Sequence, residues 1–251
     1  MASSDVRVEV IDNEADFGPA FEASAQAFAV QARDGIWMAM NPGWDTPEGK
    51  QNNVSRLVSR WRGVTKDRDG NPNTVFIKAT VPDPQDPSKR VIAGLAIWEQ
   101  VSNAEGRGAP PSGDVPSVIK DMGLPSLYPG NEAEQRYLAQ TMYSLHKPRL
   151  DLVRSIANTE KPAILALDIC AVSPDFQRRG IAGKLVQWGL DEAERRGGLE
   201  AVMEASSMGR AVYARVGFKQ DGPEITYEID GEFAHRPMPS NIFMRSQLQE
   251  A

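Results

Sequence analysis

The residues best suited to chemistry in this chain form a basic, glycine-containing turn, Gln177-Arg178-Arg179-Gly180-Ile181-Ala182-Gly183-Lys184. An apolar run at residues 163–172 predicts a buried strand before the turn, and an amphipathic segment at residues 181–196 predicts a helix after it. The first amides of a helix have no partner inside the helix, and they lie at the positive end of its dipole. The turn therefore predicts a site for a phosphate group. A basic surface turn that only starts a helix is the alternative interpretation.

Two common phosphate-binding loops are excluded by the spacing of the glycines. A nucleoside-triphosphate loop requires a glycine five positions before the Gly-Lys pair and a serine or threonine directly after it. Here position 178 is arginine, and Leu185 follows the Gly183-Lys184 pair. The dinucleotide fingerprint requires three spaced glycines near the first strand, which Gly180-Ile181-Ala182-Gly183 does not provide.

Asp168 is a candidate acid–base group, because it lies inside the apolar run at residues 163–172. A carboxylate in an apolar strand is costly to bury unless it has a partner or a function. Burial is expected to raise its pKa toward a value useful for a general base. The alternative is a structural acid that hydrogen-bonds to a neighbouring loop.

The sequence predicts neither a covalent nucleophile nor a metal site. Cys170 is the only cysteine, and it is interpreted as a small apolar residue of the strand. His146 and His235 are isolated from each other and from Cys170, so no metal-ligand cluster is visible.

Composition indicates a globular protein that binds neither nucleic acid nor membranes. The chain has 251 residues, of which 41% are hydrophobic and 25% charged, and its formal net charge is −6. A negative chain is unsuited to general contact with nucleic acid or anionic lipid. A single cysteine allows no internal disulfide and favours a reducing compartment. Residues 1–5 lack the pattern of a signal peptide, and no apolar run approaches the ~20 residues of a membrane helix. A cytoplasmic location is therefore expected.

The elements that must position these residues can be read from periodicity and turn chemistry. Thr46 and Pro47 have the residue types of a helix cap and first helical position, and Pro148 interrupts a long helical pattern. Trp37 and Trp44 are assigned to a loop, and Ser206 or Ser207 is expected to cap a short helix that contains Tyr213. Strands are predicted at residues 6–11, 74–81, 91–101, 163–172, 200–205, 225–229 and 241–244. The main helices are predicted at residues 15–31, 46–61, 132–145 and 181–196, with residues 149–156 as a continuation of the third helix after Pro148.

Three segments in the last third of the chain together resemble the GNAT superfamily of acyl-CoA N-acyltransferases. Gln177-x-x-Gly180-x-Ala182 resembles the Q/R-x-x-G-x-G/A loop with which that family binds the diphosphate of coenzyme A. Residues 167–174 resemble the fourth strand of the family, and residues 206–218 resemble its second cofactor segment. The combined match spans roughly residues 163–220, in family order.

The resemblance implies an α/β fold: a mixed, mostly antiparallel, twisted sheet of about seven strands, with a splayed parallel pair in the middle and helices on both faces. It implies one GNAT domain over residues 1–251. Residues 102–160 are then a helical insertion that minimal members of the family lack, and this insertion helps to line the acceptor site. Acetyl-CoA is the implied cofactor. Its implied binding residues are Ile169, Cys170, Ala171, Val172, Gln177, Arg178, Arg179, Gly180, Ile181, Ala182, Gly183, Lys184, Ser206, Ser207 and Tyr213.

The implied reaction is transfer of an acetyl group to the primary amine of a small molecule, by direct attack in a ternary complex. Tyr213 matches the family tyrosine that protonates the departing thiolate, and Asp168 lies where many members place the general base. A core tyrosine is the alternative for Tyr213. No metal and no nucleic-acid partner are expected, and a homodimer is allowed. The alternatives are a non-catalytic acyl-CoA-binding or regulatory domain, or transfer to a protein lysine or a hydroxyl group.

Overall fold

The computed structural model describes residues 5–247 around a seven-stranded sheet with the order β1-β2-β3-β4-β5-β7-β6. Residues 1–4, most of the segment used to judge the signal peptide, lie outside this range. The parallel pair β4–β5 is flanked on both sides by antiparallel neighbours. The predicted fold class is thereby confirmed. The strands are β1 Arg7–Val10, β2 Thr74–Pro82, β3 Arg90–Ser102, β4 Ala163–Val172, β5 Glu200–Ser206, β6 Lys219–Glu224 and β7 Asn241–Arg245.

Helices cover both faces of the sheet. Two helices near the C-terminus, at residues 181–195 and 210–215, pack on one face. Helices at residues 17–25, 47–62 and 132–156 pack on the other face. The helices are α1 Phe17–Ala25, α2 Gly35–Met40, α3 Pro47–Arg62, α4 Val115–Asp121, α5 Leu124–Leu127, α6 Glu132–Ile156, α7 Ile181–Arg195 and α8 Arg210–Arg215, and a π-helical turn, Gln26–Gln31, continues α1. None of the helices within residues 5–247 is both long enough and apolar enough to cross a lipid bilayer.

Local sequence signals explain where the helices next to the site begin. The Thr46 hydroxyl accepts a hydrogen bond from the Gly49 amide, and Pro47 is the first residue of α3. α6 is a single helix through Pro148, with Asn131 as its N-cap. α7 lies close to the sheet because Gly189 has no side chain: a Cβ there would lie 2.0 Å from the Trp98 ring. The position of α7 in turn places the basic turn at its N-terminus.

Two predicted elements were wrong. Trp37 lies in helix α2 and not in a loop, because the Asp34 carboxylate accepts hydrogen bonds from the Ile36 and Trp37 amides and starts a helix despite Gly35. Residues 225–229 are irregular, and the strand is β6, which precedes them. β6 contains Gly222 and Pro223, which read as a turn, and its pairing with β7 is interrupted between Gln220 and Glu224.

Candidate active site

The turn before α7 presents a row of backbone amides that no protein group uses. Gly180 has a φ of 78°, and it is the N-cap of α7 without any side-chain capping bond. Within residues 5–247, the N–H groups of residues 178–183 donate to no protein acceptor outside the helix. A Cβ added at Gly180 or Gly183 would meet nothing within 4 Å. Free amides, open space and the helix dipole together fit a diphosphate.

Several side chains of this turn brace it instead of pointing freely outward. The Gln177 amide donates to the Val172 carbonyl at 3.0 Å and pairs with the side chain of Gln31. The Arg179 guanidinium donates to the Asp175 carbonyl, and it lies 5.3 Å from the centre of the Phe176 ring. The bracing contacts hold the amides in place.

The two parallel strands part beside the turn. β4 pairs with β5 from Ile164 to Leu167, opposite Glu200 to Met203, and no further. β4 nevertheless continues to Val172 and β5 to Ser206. In residues 169–172 the backbone groups that face β5 therefore have no strand partner in that direction. An extended ligand can lie in this gap and bind β4 as another strand would.

Tyr213 lies at the gap, on the α7 side of the sheet. Its side chain is buried, and its hydroxyl lies next to the thiol of Cys170 on β4. Burial, together with the contact to Cys170, raises the pKa of the Tyr213 phenol well above its usual value. The ring packs directly on Gly209, where a Cβ would lie 2.4 Å from it. The phenol therefore stays protonated at neutral pH, in the state required of a proton donor.

The predicted serine cap of the Tyr213 helix was wrong. α8 begins at Arg210 with Gly209 as its N-cap, and no side chain caps it. Ser206 is the last residue of β5, and Ser207 lies in the turn that follows. The serines keep their position beside the gap, where contact with the pantetheine arm remains a prediction.

The expected rise in the pKa of Asp168 was also wrong. Burial does raise it, but the positive charges of Arg60 and Arg149 outweigh burial and hold the pKa at about 2. The Asp168 carboxylate accepts a hydrogen bond from Arg60 of α3 at 2.8 Å. Asp168 is also the extra residue of a β-bulge, because Ile97 pairs with Ile169 and Trp98 with Leu167. An acid with this pKa is a poor proton acceptor at neutral pH, which favours the structural interpretation.

Asp168 belongs to a group of charged residues on the face of the sheet covered by α3 and α6. The Arg149 guanidinium of α6 forms two hydrogen bonds with the Glu204 carboxylate of β5, and the two side chains are only 5% and 3% exposed. Burial and the charge of Arg149 lower the pKa of His146 to about 4, so this imidazole is neutral. We call this group the polar cluster; its members are Arg60, Glu99, His146, Arg149, Asp168 and Glu204.

Of these six residues, only Asp168 was predicted from the sequence to belong to the site, and His146 was interpreted as isolated. Glu99 and Glu204 carry the same signal, since each is a carboxylate inside an apolar strand. Arg60 and Arg149 give no such signal, because each lies on an amphipathic helix where an arginine is ordinary. Only the fold brings them to the acids.

No three histidine, cysteine, aspartate or glutamate side chains within residues 5–247 are arranged to hold a metal ion.

Residues 131–236 match the family model described as "Acetyltransferase (GNAT) domain". A search of curated protein sequences gives no match.

Solved structures share the fold over nearly the whole chain. An agmatine N-acetyltransferase is 11% identical, with a TM-score of 0.58, and the alignment covers 96% of this chain and 98% of that one. Arylalkylamine N-acetyltransferase 2 from Aedes aegypti is 17% identical, with a TM-score of 0.57 and coverage of 96% and 97%. A Drosophila melanogaster polyamine N-acetyltransferase that forms N-acetylagmatine is 11% identical, with a TM-score of 0.57 and coverage of 96% and 98%. At these identities the likeness shows the fold.

Proposed function

We propose that this chain, an acyltransferase that carries a GNAT acetyltransferase domain, moves the acetyl group of acetyl-CoA to the primary amine of a small molecule. The amine attacks the thioester directly, in a ternary complex. The observation that carries the proposal is the row of unused amides at residues 178–183, beside the gap where β4 and β5 part. A diphosphate with an extended arm is the ligand shape that fits both features.

The amides of residues 178–183 bind the diphosphate, and Arg178 and Lys184 add positive charge next to it. The backbone of Ile169, Cys170, Ala171 and Val172 binds the pantetheine arm, and Ser206 and Ser207 contact that arm from β5. Acetyl-CoA supplies the activated thioester. Backbone N–H groups of β4 stabilise the negative charge that develops on the carbonyl oxygen.

Tyr213 protonates the departing thiolate. Burial raises the pKa of the neighbouring Cys170 thiol to about 12. A thiolate released beside Cys170 experiences the same surroundings and is driven toward its protonated form. Tyr213 is a protonated group beside that position, since its hydroxyl lies next to the Cys170 thiol. The phenol is then restored by a proton that the amine loses.

A small amine is the acceptor that the surroundings favour. The acids of the polar cluster outnumber its cations, which favours a cationic ligand. The similar solved structures include enzymes named for agmatine, polyamines and arylalkylamines, which supports the same class of acceptor.

A thiol-release assay tests the proposal. Acetyl-CoA is incubated with the full chain and with separate polyamines, agmatine, arylalkylamines and aminoglycosides, and mass spectrometry identifies the product. We expect thiol release above the no-acceptor background with at least one amine, together with its N-acetyl product. Binding of coenzyme A without thiol release from any amine would identify a non-catalytic acyl-CoA-binding domain. Release only with lysine peptides or hydroxyl compounds would move the acceptor to those classes.

A further inference from the structure

Glu99 is the acid of the polar cluster that no cation in the described part of the chain contacts directly, although Arg60 and Arg149 act on it from a distance. It lies on β3, one residue after Trp98, whose side chain packs against α7 on the other face of the sheet. The Ile97 side chain packs in one apolar cluster with Val58 of α3, and the Val101 side chain packs in another with Val153 of α6. Because side chains alternate along a strand, Glu99 lies between these two on the face covered by α3 and α6.

The other acids of the cluster each have a cation of their own. Arg60 holds Asp168, and Arg149 holds Glu204. Within residues 5–247, the Glu99 carboxylate accepts no hydrogen bond and forms no ion pair. With His146 neutral, the cluster holds three carboxylates and two guanidinium groups. The cluster therefore has one negative charge more than it has positive charges. Burying a carboxylate without a cation in contact costs free energy.

The Glu99 side chain is nevertheless only partly buried. The side-chain oxygens and nitrogens of residues 5–247 that are fully enclosed and lack a hydrogen bond are Asn73 Oδ1 and Arg196 Nη2, and the latter still lies 2.7 Å from a Glu192 oxygen. The Glu99 oxygens accept no hydrogen bond and are not among these enclosed atoms, so they keep contact with solvent. The ammonium group of a ligand would approach Glu99 from this exposed side.

Glu99 and Tyr213 lie on opposite faces of the sheet and on either side of the β4 bulge at Asp168, at positions four residues apart along β4. Glu99 is opposite Ala166 of β4, two residues before Asp168, where β4 bulges and leaves β5. Tyr213 contacts Cys170, two residues after Asp168. An acceptor on the Glu99 side and a leaving sulfur on the Tyr213 side would have the thioester between them.

We propose that Glu99 is the acceptor-side catalytic carboxylate, which binds the ammonium group of the acceptor and takes its first proton. The proposal rests on the proposed acetyl transfer. One N–H bond of the ammonium breaks and its proton passes to a Glu99 oxygen, and the nitrogen lone pair forms the C–N bond. The C–S bond breaks with its electron pair on sulfur, which takes the phenol proton of Tyr213. A second proton from the nitrogen restores Tyr213, and Glu99 releases its proton to solvent.

The pH dependence has a definite sign. Burial raises the pKa of Glu99 above its usual value, Arg60 opposes this effect, and the negative charge of Asp168 adds to it. The charged groups that face Glu99 are Arg60 from α3, Arg149 from α6 and Asp168 from β4. The rate should therefore fall on the acid side as Glu99 becomes protonated. Asp168→Asn removes a negative neighbour and leaves the charge of Arg60 uncompensated, so it should lower the pKa of Glu99 and move the acid limb to lower pH.

The test measures kcat/KM for the best amine of the thiol-release panel against pH, for the full-length chain and its variants. We expect Glu99→Gln to lower kcat/KM about a hundredfold and to remove the acid limb, while the Kd for acetyl-CoA changes less than about twofold. Glu160→Gln makes the same change at an exposed position between α6 and β4, and it should leave the profile unchanged.

The outcomes separate the possibilities. An acid limb that persists in Glu99→Gln, or that disappears in Asp168→Asn or His146→Gln instead, overturns the role of Glu99. If Glu99→Gln fails to bind coenzyme A and is therefore misfolded, the Asp168→Asn variant provides the test. A fall of kcat/KM that begins at lower pH than in the wild-type chain supports the proposal. A fall that begins at the same or a higher pH overturns it. A wild-type chain that acetylates no amine contradicts the proposed function itself, and the role of Glu99 falls with it.

Discussion

Replacing Tyr213 with phenylalanine is expected to lower kcat for acetyl transfer by about 10²–10³-fold. The change removes one hydroxyl and keeps the buried ring on Gly209, so the structure around the gap should persist. Without the phenol, the sulfur must leave as a thiolate in surroundings that raise the pKa of the Cys170 thiol to about 12. The Kd for acetyl-CoA should change less than about twofold, because the diphosphate contacts lie on the turn before α7.

The control is Tyr143→Phe, which makes the same change on α6. Tyr143 packs against the apolar residues between α4 and α6, away from Cys170. Steady-state kinetics with saturating amine, together with titration of acetyl-CoA, separate the two parameters. A loss in kcat no larger for Tyr213→Phe than for Tyr143→Phe would return Tyr213 to the role of a core residue.

Replacing Arg149 with methionine is expected to lower the free energy of unfolding by about 3–5 kcal/mol. Arg149 and Glu204 are almost fully buried together, so loss of the guanidinium leaves an uncompensated carboxylate between α6 and β5. Urea unfolding followed by circular dichroism measures the difference. Replacing Glu204 as well, with methionine, should recover much of the loss, since an apolar pair leaves no buried charge.

Lys147→Met is the matched control on the same helix. Lys147 and Asp151 form an exposed pair one turn apart, and each side chain is 50% exposed. Such a pair contributes at most about 1 kcal/mol, so this variant should unfold at nearly the wild-type urea concentration. Equal losses for Arg149→Met and Lys147→Met would contradict the assignment of the Arg149–Glu204 pair as a buried ion pair that holds α6 to the sheet.

Most of the elements could be predicted because their signals are local. β4 was predicted with its observed ends, since residues 163–172 form an apolar run bounded by Pro162 and Ser173-Pro174. The basic turn was found for the same reason, because its amides and the helix after it are adjacent in sequence. α2 was missed because Gly35 and Pro42 suggested a loop, although Asp34 offered a cap.

The polar cluster could not be assembled from the sequence, because its partners are far apart along the chain. Arg60 and Asp168 are separated by 108 residues, and Arg149 and Glu204 by 55. The pKa of Asp168 depends on these partners, so burial alone predicted a shift in the wrong direction. Glu99 could have been noticed as a carboxylate in an apolar strand, but its missing partner is evident only when the cations of Asp168 and Glu204 are known.

Calorimetric titration of the chain with coenzyme A, and in parallel with pantetheine, tests most directly whether the amides of residues 178–183 bind a diphosphate. Pantetheine has the arm that fits between β4 and β5 but lacks the diphosphate. We expect coenzyme A to bind with measurable heat and pantetheine to bind far more weakly. No heat with coenzyme A, or equal affinity for the two compounds, would contradict the proposed site.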